Sequence, residues 1–233
     1  MAAGGALPFL FVGLKLKASA DAPEIYVLFE RPVPEGDRAR IVDRLPAAVT
    51  ASVSWSDRLL HVGGDALFRA ALKDTLGGAA AFDAAMEDWA TATHAEHPIV
   101  CVLDIDGKGA SLPAKKLVAE ITGRVLPALD AHFDQGPIDA TGSWFLYLLL
   151  EQTVRPVKSL DEATFAALAR AVGRAFHHGD RNALLYLVRI HQELVDRAPP
   201  GALDRLEQPA AIRLALLLKA HRHDDAWLER VRA

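Results

Sequence analysis

Two aspartates at the end of an apolar run form the sharpest chemical pattern in this sequence. The run Ile99–Leu103 leads into Asp104, Asp106, Gly107 and Lys108. Carboxylates two residues apart at the end of a strand can bind a hard divalent cation such as Mg²⁺. A cation held there can polarise and neutralise a phosphate group. The pattern therefore indicates a metal-dependent hydrolase of phosphate esters, in which Lys108 is a further cationic group.

The same segment resembles the first motif of the haloacid-dehalogenase-type phosphohydrolases, an apolar strand followed by Asp-x-Asp-Gly. The resemblance implies that Asp104 attacks phosphorus, that Asp106 acts as acid and base, and that Mg²⁺ is the cofactor. It covers about ten residues, and Lys108 stands where that family usually has threonine. The alternative is a simple turn, because Asp and Gly commonly end a strand.

Imidazoles and carboxylates also cluster near the C-terminus. They are ligand types suited to Zn²⁺ or Fe²⁺, and the candidates are His177, His178, Asp180, His221, His223 and Asp224. Helix capping is the alternative that we favour. A histidine in the last turn stabilises the negative end of the helix dipole, and an aspartate after it can cap the next helix. On this interpretation there are no catalytic residues and no cofactor, and the divalent metal belongs to the hydrolase alternative.

The first half of the chain alternates strand-like and helix-like segments. Strand patterns occur at residues 10–17, 24–31, 49–55, 58–62 and 98–104. Helices are predicted between them, at 37–45, 65–73 and around Met86 and Trp89. The short links predict hairpins between the first two strands and between the next two, the second turning at Ser56 and Asp57. We therefore predict an α+β fold with a mostly antiparallel sheet of about five strands over residues 8–110.

From Ser111 onward the pattern is helix and turn only. A helix starting at Ser111 has an apolar stripe made of Leu117, Ile121, Val125 and Leu129. The segment Trp144–Leu150 is apolar all round, which indicates a helix buried on every side. Ser159 and Glu162 match a capping box, and the helix after it has a stripe made of Phe165, Leu168, Val172 and Phe176.

The helix ends of this half repeat. His132, His177 and His221 are 45 and 44 residues apart, and an aspartate follows each of them, at Asp134, Asp180 and Asp224. A Leu-Tyr-Leu triplet also recurs after 39 residues, at 146–148 and 185–187. Such spacings are typical of two-helix solenoid repeats. We predict an all-α region of stacked helical hairpins at 111–233, following a sheet domain at 1–110, either as separate domains or around one shared core.

Composition excludes several classes of function. Hydrophobic residues make up 51% and charged residues 24%, as in soluble globular proteins. The net charge of −4 gives no basic field, which argues against nucleic-acid binding. The single cysteine, Cys101, excludes disulfides and cysteine zinc sites within one chain. No apolar stretch reaches the roughly 20 residues of a membrane helix, so we expect a cytoplasmic protein without a membrane partner.

These features together favour a non-catalytic protein–protein interaction module over an enzyme. Abundant alanine and an excess of arginine over lysine indicate a bacterial coding bias. Stacked helices create extended grooves for partners, so we predict an adaptor, inhibitor or immunity-type component of a larger complex. Its partner is another protein or a second copy of the chain. Trp55, on a hairpin whose other face is rich in serine, is the candidate partner-binding residue.

Overall fold

A computed structural model describes residues 7–13, 24–45, 53–63, 79–105, 112–134, 140–178, 190, 193–202 and 226. The chain divides into two compact units, Met1–Leu112 and Pro113–Ala233. The first unit contains a sheet with helices, and the elements described in the second are helices, so the fold is α+β. None of the helices in the described ranges combines the length and apolar character needed to cross a membrane.

The first unit is built on a five-stranded mixed sheet. Its strands are β1 (Leu10–Gly13), β2 (Glu24–Phe29), β3 (Val53–Ser56), β4 (Leu59–Gly63) and β5 (Ile99–Asp104). They lie in the order β1-β5-β2-β4-β3. Strands β1 and β5 are parallel, whereas β5–β2, β2–β4 and β4–β3 are antiparallel. The predicted mostly antiparallel sheet is therefore not confirmed: the sheet is mixed, because β1 runs parallel to β5.

The predicted hairpin between the first two strands is wrong. Strand β5 lies between β1 and β2 and pairs with both of them. All six residues of β5 are buried, and a strand that is apolar on both faces favours the interior of a sheet over its edge. The second predicted hairpin is confirmed, since β3 and β4 pair around a turn at Asp57 and Arg58. Asp57 has a φ of +41°, a conformation that aspartate tolerates better than most residues.

One face of the sheet packs against two helices, α1 (Glu35–Asp43) and α2 (Ala79–Glu96). The core cluster on this face joins alternate residues of β2 to both helices, and it includes Ile25, Val27, Phe29, Ile41, Met86 and Trp89. The indole Nε1 of Trp89 donates a hydrogen bond to the carbonyl of Ile41, 3.0 Å away. Trp89 therefore joins α2 to α1 without leaving its N–H unsatisfied.

The second unit begins with a long helical segment that changes its winding midway. It consists of α3 (Ala114–Glu120), a π-helical turn (Ile121–Val125) and α4 (Leu126–Phe133). Helix α3 starts after Pro113 rather than at Ser111, because a proline disfavours helical geometry in the residue before it. Pro127 explains the wider turn: it has no N–H to donate to the carbonyl of Gly123, and its ring would clash with that carbonyl in an α-helix.

Helices α5 (Ala140–Val154) and α6 (Glu162–His178) follow among the described residues. The predicted apolar stripe of the α3–α4 segment is buried at all four positions. Residues Phe145–Leu150 of α5 are buried on every side, as predicted. The capping box prediction is wrong in its residues. Asp161, rather than Ser159, precedes the first residue of α6 and accepts a hydrogen bond from the backbone N–H of Thr164 at 2.9 Å.

Candidate functional site

Asp104 is the only one of the three proposed hydrolase residues that the structure describes. It is the last residue of β5, opposite Ile25 of β2 and Gly13 of β1. Its side chain is 2% exposed. Asp106 and Lys108 lie outside the described residues, so their position relative to Asp104 stays a prediction. The burial of Asp104 is unfavourable for a nucleophile, which needs to reach its substrate.

The C-terminal histidines and aspartates are only partly covered by the structure. His177 and His178 are the last two residues of α6, at the helix end where the repeat places them. Their side chains lie outside the described part of the chain, as do Asp180, His221, His223 and Asp224. Within the described ranges, no three His, Cys, Asp or Glu side chains lie close enough together to hold a metal ion. The metal interpretation of this cluster stays a prediction.

The first member of the repeated helix ends is described in full. His132 lies in the last turn of α4 and Asp134 is its C-terminal cap residue. The next helix is described from Ala140 onward. Its carboxylate accepts a hydrogen bond from the guanidinium of Arg174 on α6, and the same guanidinium lies 3.3 Å from the carboxylate of Asp130. This aspartate therefore joins two helices, and its predicted role as a cap of the next helix stays a prediction, because residues 135–139 lie outside the described ranges.

A second arginine joins the segment around residue 195 to the end of α5. Arg197 donates a hydrogen bond from Nε to the carbonyl of Val157 at 2.9 Å. The backbone N–H of Leu160 donates to the carbonyl of Arg197 at 3.3 Å. Arg197 and Val157 are 40 residues apart, close to the 39-residue spacing of the Leu-Tyr-Leu triplets. Arg174 and Asp130 are 44 residues apart, which matches the spacing of the repeated helix ends.

Trp55, the candidate partner residue, is partly buried on β3. Its ring stacks against Phe29 with centroids 5.6 Å apart. The guanidinium carbon of Arg38 lies 5.6 Å from the centre of the Trp55 ring, within cation–π range. Nε of Arg38 also donates to the carbonyl of Val33 at 2.9 Å. The backbone thus positions the arginine. Trp55 packs at the edge of the core cluster and does not project freely into solvent.

The structure also assembles a polar row that sequence reasoning missed, made of Glu24, Tyr26, Ser54 and His61. Tyr26 and Ser54 are the cross-strand neighbours of His61. Their side chains lie on the face opposite the core cluster, because alternate residues of a strand point to opposite faces. Tyr26 and His61 each interrupt an apolar run, which is the one sequence signal for this row. Their adjacency depends on the register of two strands that are distant in sequence.

Contacts between neighbouring side chains connect the row. The hydroxyl of Tyr26 donates to Oε2 of Glu24 at 2.9 Å, and the Tyr26 and His61 rings stack with centroids 4.5 Å apart. Nδ1 of His61 lies 3.4 Å from the hydroxyl of Ser54. Its Nε2 lies 3.9 Å from Oε2 of Glu24, too far for a hydrogen bond. The order Ser–His–Glu is that of a nucleophile with its base, but these contacts are loose.

Burial determines the protonation of this row. It raises the pKa of Tyr26 far above its usual value, and the neighbouring Glu24 carboxylate raises it further. Tyr26 therefore stays a neutral hydrogen-bond donor. Burial lowers the pKa of His61, while the negative charge of Glu24 opposes that shift. The imidazole is thus favoured in its neutral form, which can exchange a proton with Ser54 or with solvent.

The second unit contains a pocket of about 490 Å³ between α3 and the connection from α5 to α6. Three aliphatic side chains line it: Val118, Val157 and Leu160. Lys115 and Ser159 contribute an ammonium and a hydroxyl, and both residues are exposed. The pocket thus combines an aliphatic wall with a cation and a hydrogen-bonding group.

Asp161 and Thr164 complete the lining, and they bind each other. Thr164 donates to one oxygen of Asp161 from its backbone N–H at 2.9 Å and to the other from its hydroxyl at 2.7 Å. These hydrogen bonds lower the pKa of Asp161. The carboxylate therefore serves as the N-terminal cap of α6, where the helix dipole partly offsets its charge.

The depressed pKa of His61 predicts an acid-sensitive contribution to stability. The unfolded chain, with an imidazole pKa of about 6.5, binds this proton more readily than the folded chain. The contribution is therefore complete above about pH 6.5 and is lost as the pH falls from there towards the lower pKa of the folded state. We expect His61→Gln to reduce the loss of thermal stability between about pH 7.5 and about pH 5.

His97→Gln is the matched control for this prediction, because His97 lies outside the row, 3.9 Å from Asp37. If His61→Gln retained the full acid sensitivity and His97→Gln lost it, the assignment to the row would be wrong.

The contacts of Arg174 predict a measurable coupling between α4 and α6. We expect Arg174→Gln to lower the free energy of unfolding by about 0.5–1 kcal/mol, the range of a partly exposed ion pair. A double-mutant cycle with Asp134→Asn, measured by urea unfolding, should give a coupling energy of about 0.5 kcal/mol. Arg170→Gln, one turn earlier on α6, is the control. A coupling energy of zero for the Arg174 cycle would contradict the role assigned to this contact.

Comparison with known proteins adds no assignment to this geometry. No family model matches the sequence, and no curated protein or solved structure matches it significantly.

Proposed function

We propose that this chain is a non-catalytic protein-binding module, an adaptor, inhibitor or immunity-type component of a larger bacterial complex. Its helical unit is a stack of helical hairpins, and that stack provides the surface for the partner. The partner is another protein or a second copy of the chain. The site of action is the cytoplasm.

The contact between Arg174 and the end of α4 carries this proposal. In a stack of hairpins, equivalent helices of successive repeats lie side by side, with their equivalent ends together. Arg174 lies near the end of α6, and Asp130 and Asp134 lie at the end of α4. The two helix ends that share a sequence pattern are therefore the ones that touch.

Arg197 supports the same arrangement for the other helix of each hairpin. It binds the carbonyl of Val157, just after the end of α5. The guanidinium of Arg155 lies 3.9 Å from Glu193, which adds an ion pair between the same two segments. Two spacings, about 44 and about 40 residues, thus correspond to two sets of neighbouring helix ends. The difference between them fits connecting loops of unequal length.

A stack of this kind suits partner binding for a physical reason. Each repeat contacts only its neighbours, so the surface of the stack grows with the number of repeats while the core stays narrow. The result is an extended groove whose size suits a protein segment. In the sheet unit, by contrast, the described core cluster lies between one face of the sheet and helices α1 and α2.

Cross-linking of the native complex tests the proposal. The tagged full chain, expressed in its own host, should elute with a partner at a fixed stoichiometry in size exclusion with light scattering. Lysines suit an amine-reactive cross-linker here, because Lys15, Lys17, Lys73 and Lys108 belong to the first unit and Lys115, Lys116, Lys158 and Lys219 to the second. We expect cross-links to the partner to concentrate on the second set.

Two outcomes would contradict the proposal. One is a strictly monomeric chain that elutes without any stoichiometric partner. The other is a complex whose cross-links fall only on the lysines of the first unit, because the helical unit would then not provide the surface. Lysines of both units are equally numerous, so the comparison needs no correction for their number.

The alternative is a metal-dependent hydrolase of phosphate esters that acts through Asp104 and Asp106. One observation favours it: Asp104 lies at the C-terminal ends of the parallel strands β1 and β5. Ligands of α/β sheets bind outside such strand ends. The 2% exposure of Asp104 weighs against it, because the alternative requires that carboxylate to meet a cation or a substrate.

A further inference from the structure

We propose that the pocket beside the start of α6 binds the C-terminus of a partner chain that ends in an aliphatic residue. The inference rests on the proposed protein-binding function and names a specific site for it. The free carboxylate of the partner would lie at Lys115, and its last side chain would fill the aliphatic part of the pocket.

The groups left unpaired in the pocket, rather than its net charge, favour an anionic ligand, because the charges of Lys115 and of the ionised Asp161 sum to zero. Both oxygens of Asp161 already accept hydrogen bonds from Thr164, and the positive end of the α6 dipole lies beside that carboxylate. Among the described residues, Lys115 forms no ion pair, and the Ser159 hydroxyl forms no hydrogen bond. The groups left for a ligand are therefore one ammonium and one hydroxyl donor, which together suit a carboxylate.

The aliphatic side chains that line the pocket indicate that the ligand has an apolar group next to its carboxylate. Val118, Val157 and Leu160 line the same pocket as Lys115, so a ligand that reaches the ammonium also lies next to apolar side chains. Burying an aliphatic group there gains free energy in proportion to the apolar area removed from water. A C-terminal residue such as leucine carries its carboxylate and its aliphatic side chain on one carbon atom. The pocket volume of about 490 Å³ accommodates such a residue and the one before it.

N-acetyl-leucine is the direct probe for this site, and N-acetyl-leucinamide is its matched control without the carboxylate. In ¹H–¹⁵N NMR titrations of the full chain, N-acetyl-leucine should shift the amide signals of Ser159, Leu160 and Thr164. We expect a Kd on the order of 1 mM, a fair value for so small a ligand. The amide should bind at least about tenfold more weakly, since it lacks the charged hydrogen-bond acceptor.

Two lysine variants separate the pocket from general charge effects. Lys115→Met should weaken N-acetyl-leucine binding about tenfold. Lys116→Met is the control: it removes the same charge from the next residue, which does not line the pocket, and should leave the Kd unchanged. Unfolding curves of both variants would show that they fold. Equal effects of the two substitutions, or equal binding of acid and amide, would overturn the proposal.

A tetrapeptide that ends in leucine distinguishes a protein C-terminus from a small free acid. It should bind more tightly than 4-methylpentanoate, because the preceding residues contact the pocket rim. Equal affinity of the two ligands would overturn the assignment to a partner chain. If none of these ligands bound as expected while the cross-links still concentrated on the helical unit, the proposed pocket would be wrong. The proposed protein-binding function would not be contradicted by that result. Cross-links confined to the first unit would remove the function itself.

Discussion

Backbone groups at the ends of helices and strands lack partners within their own element, and in the described residues several charged and imidazole side chains supply those partners or join two such ends. Asp161 accepts two hydrogen bonds from Thr164 at the start of α6. Nδ1 of His94 accepts a hydrogen bond from the backbone N–H of Ile99 at 2.9 Å, just where β5 begins. Arg174 links two helix ends. In each case the side chain completes or joins elements of secondary structure.

The strands show how far local pattern predicts a sheet. The apolar run that forms β5 is confirmed as a buried strand, since its burial follows from its own residues. The strands that pair with β5 cannot be predicted from the residues of β5 itself. Strand β5 pairs with β1 and β2, which precede it by about 70 residues or more, and no local pattern encodes that choice. The hairpin of β3 and β4 was predictable because its two strands flank a turn at Asp57, so that pairing is local.

Helical periodicity predicted which residues of the helical unit are buried, but it predicted less well where the helices begin and end. The buried positions Leu117, Ile121, Val125 and Leu129 follow from helical periodicity. The periodicity did not predict the π-helical turn, although Pro127 is its physical cause. The candidate sites were harder still. The row at His61 depends on strand register, and the pocket depends on the packing of α3 against a distant connection, so neither has a signature in contiguous residues.

We propose one central claim from these observations: the carboxylates and imidazoles of this chain stabilise its architecture and do not coordinate a metal ion. Calorimetric titration of Mg²⁺, Mn²⁺ and Zn²⁺ into the full chain, after treatment with a chelator, tests the claim most directly. The account predicts no stoichiometric binding at micromolar affinity, and the same result for Asp104→Asn. A single saturable site that is lost in Asp104→Asn, or in a variant lacking His177 and His221, would contradict it.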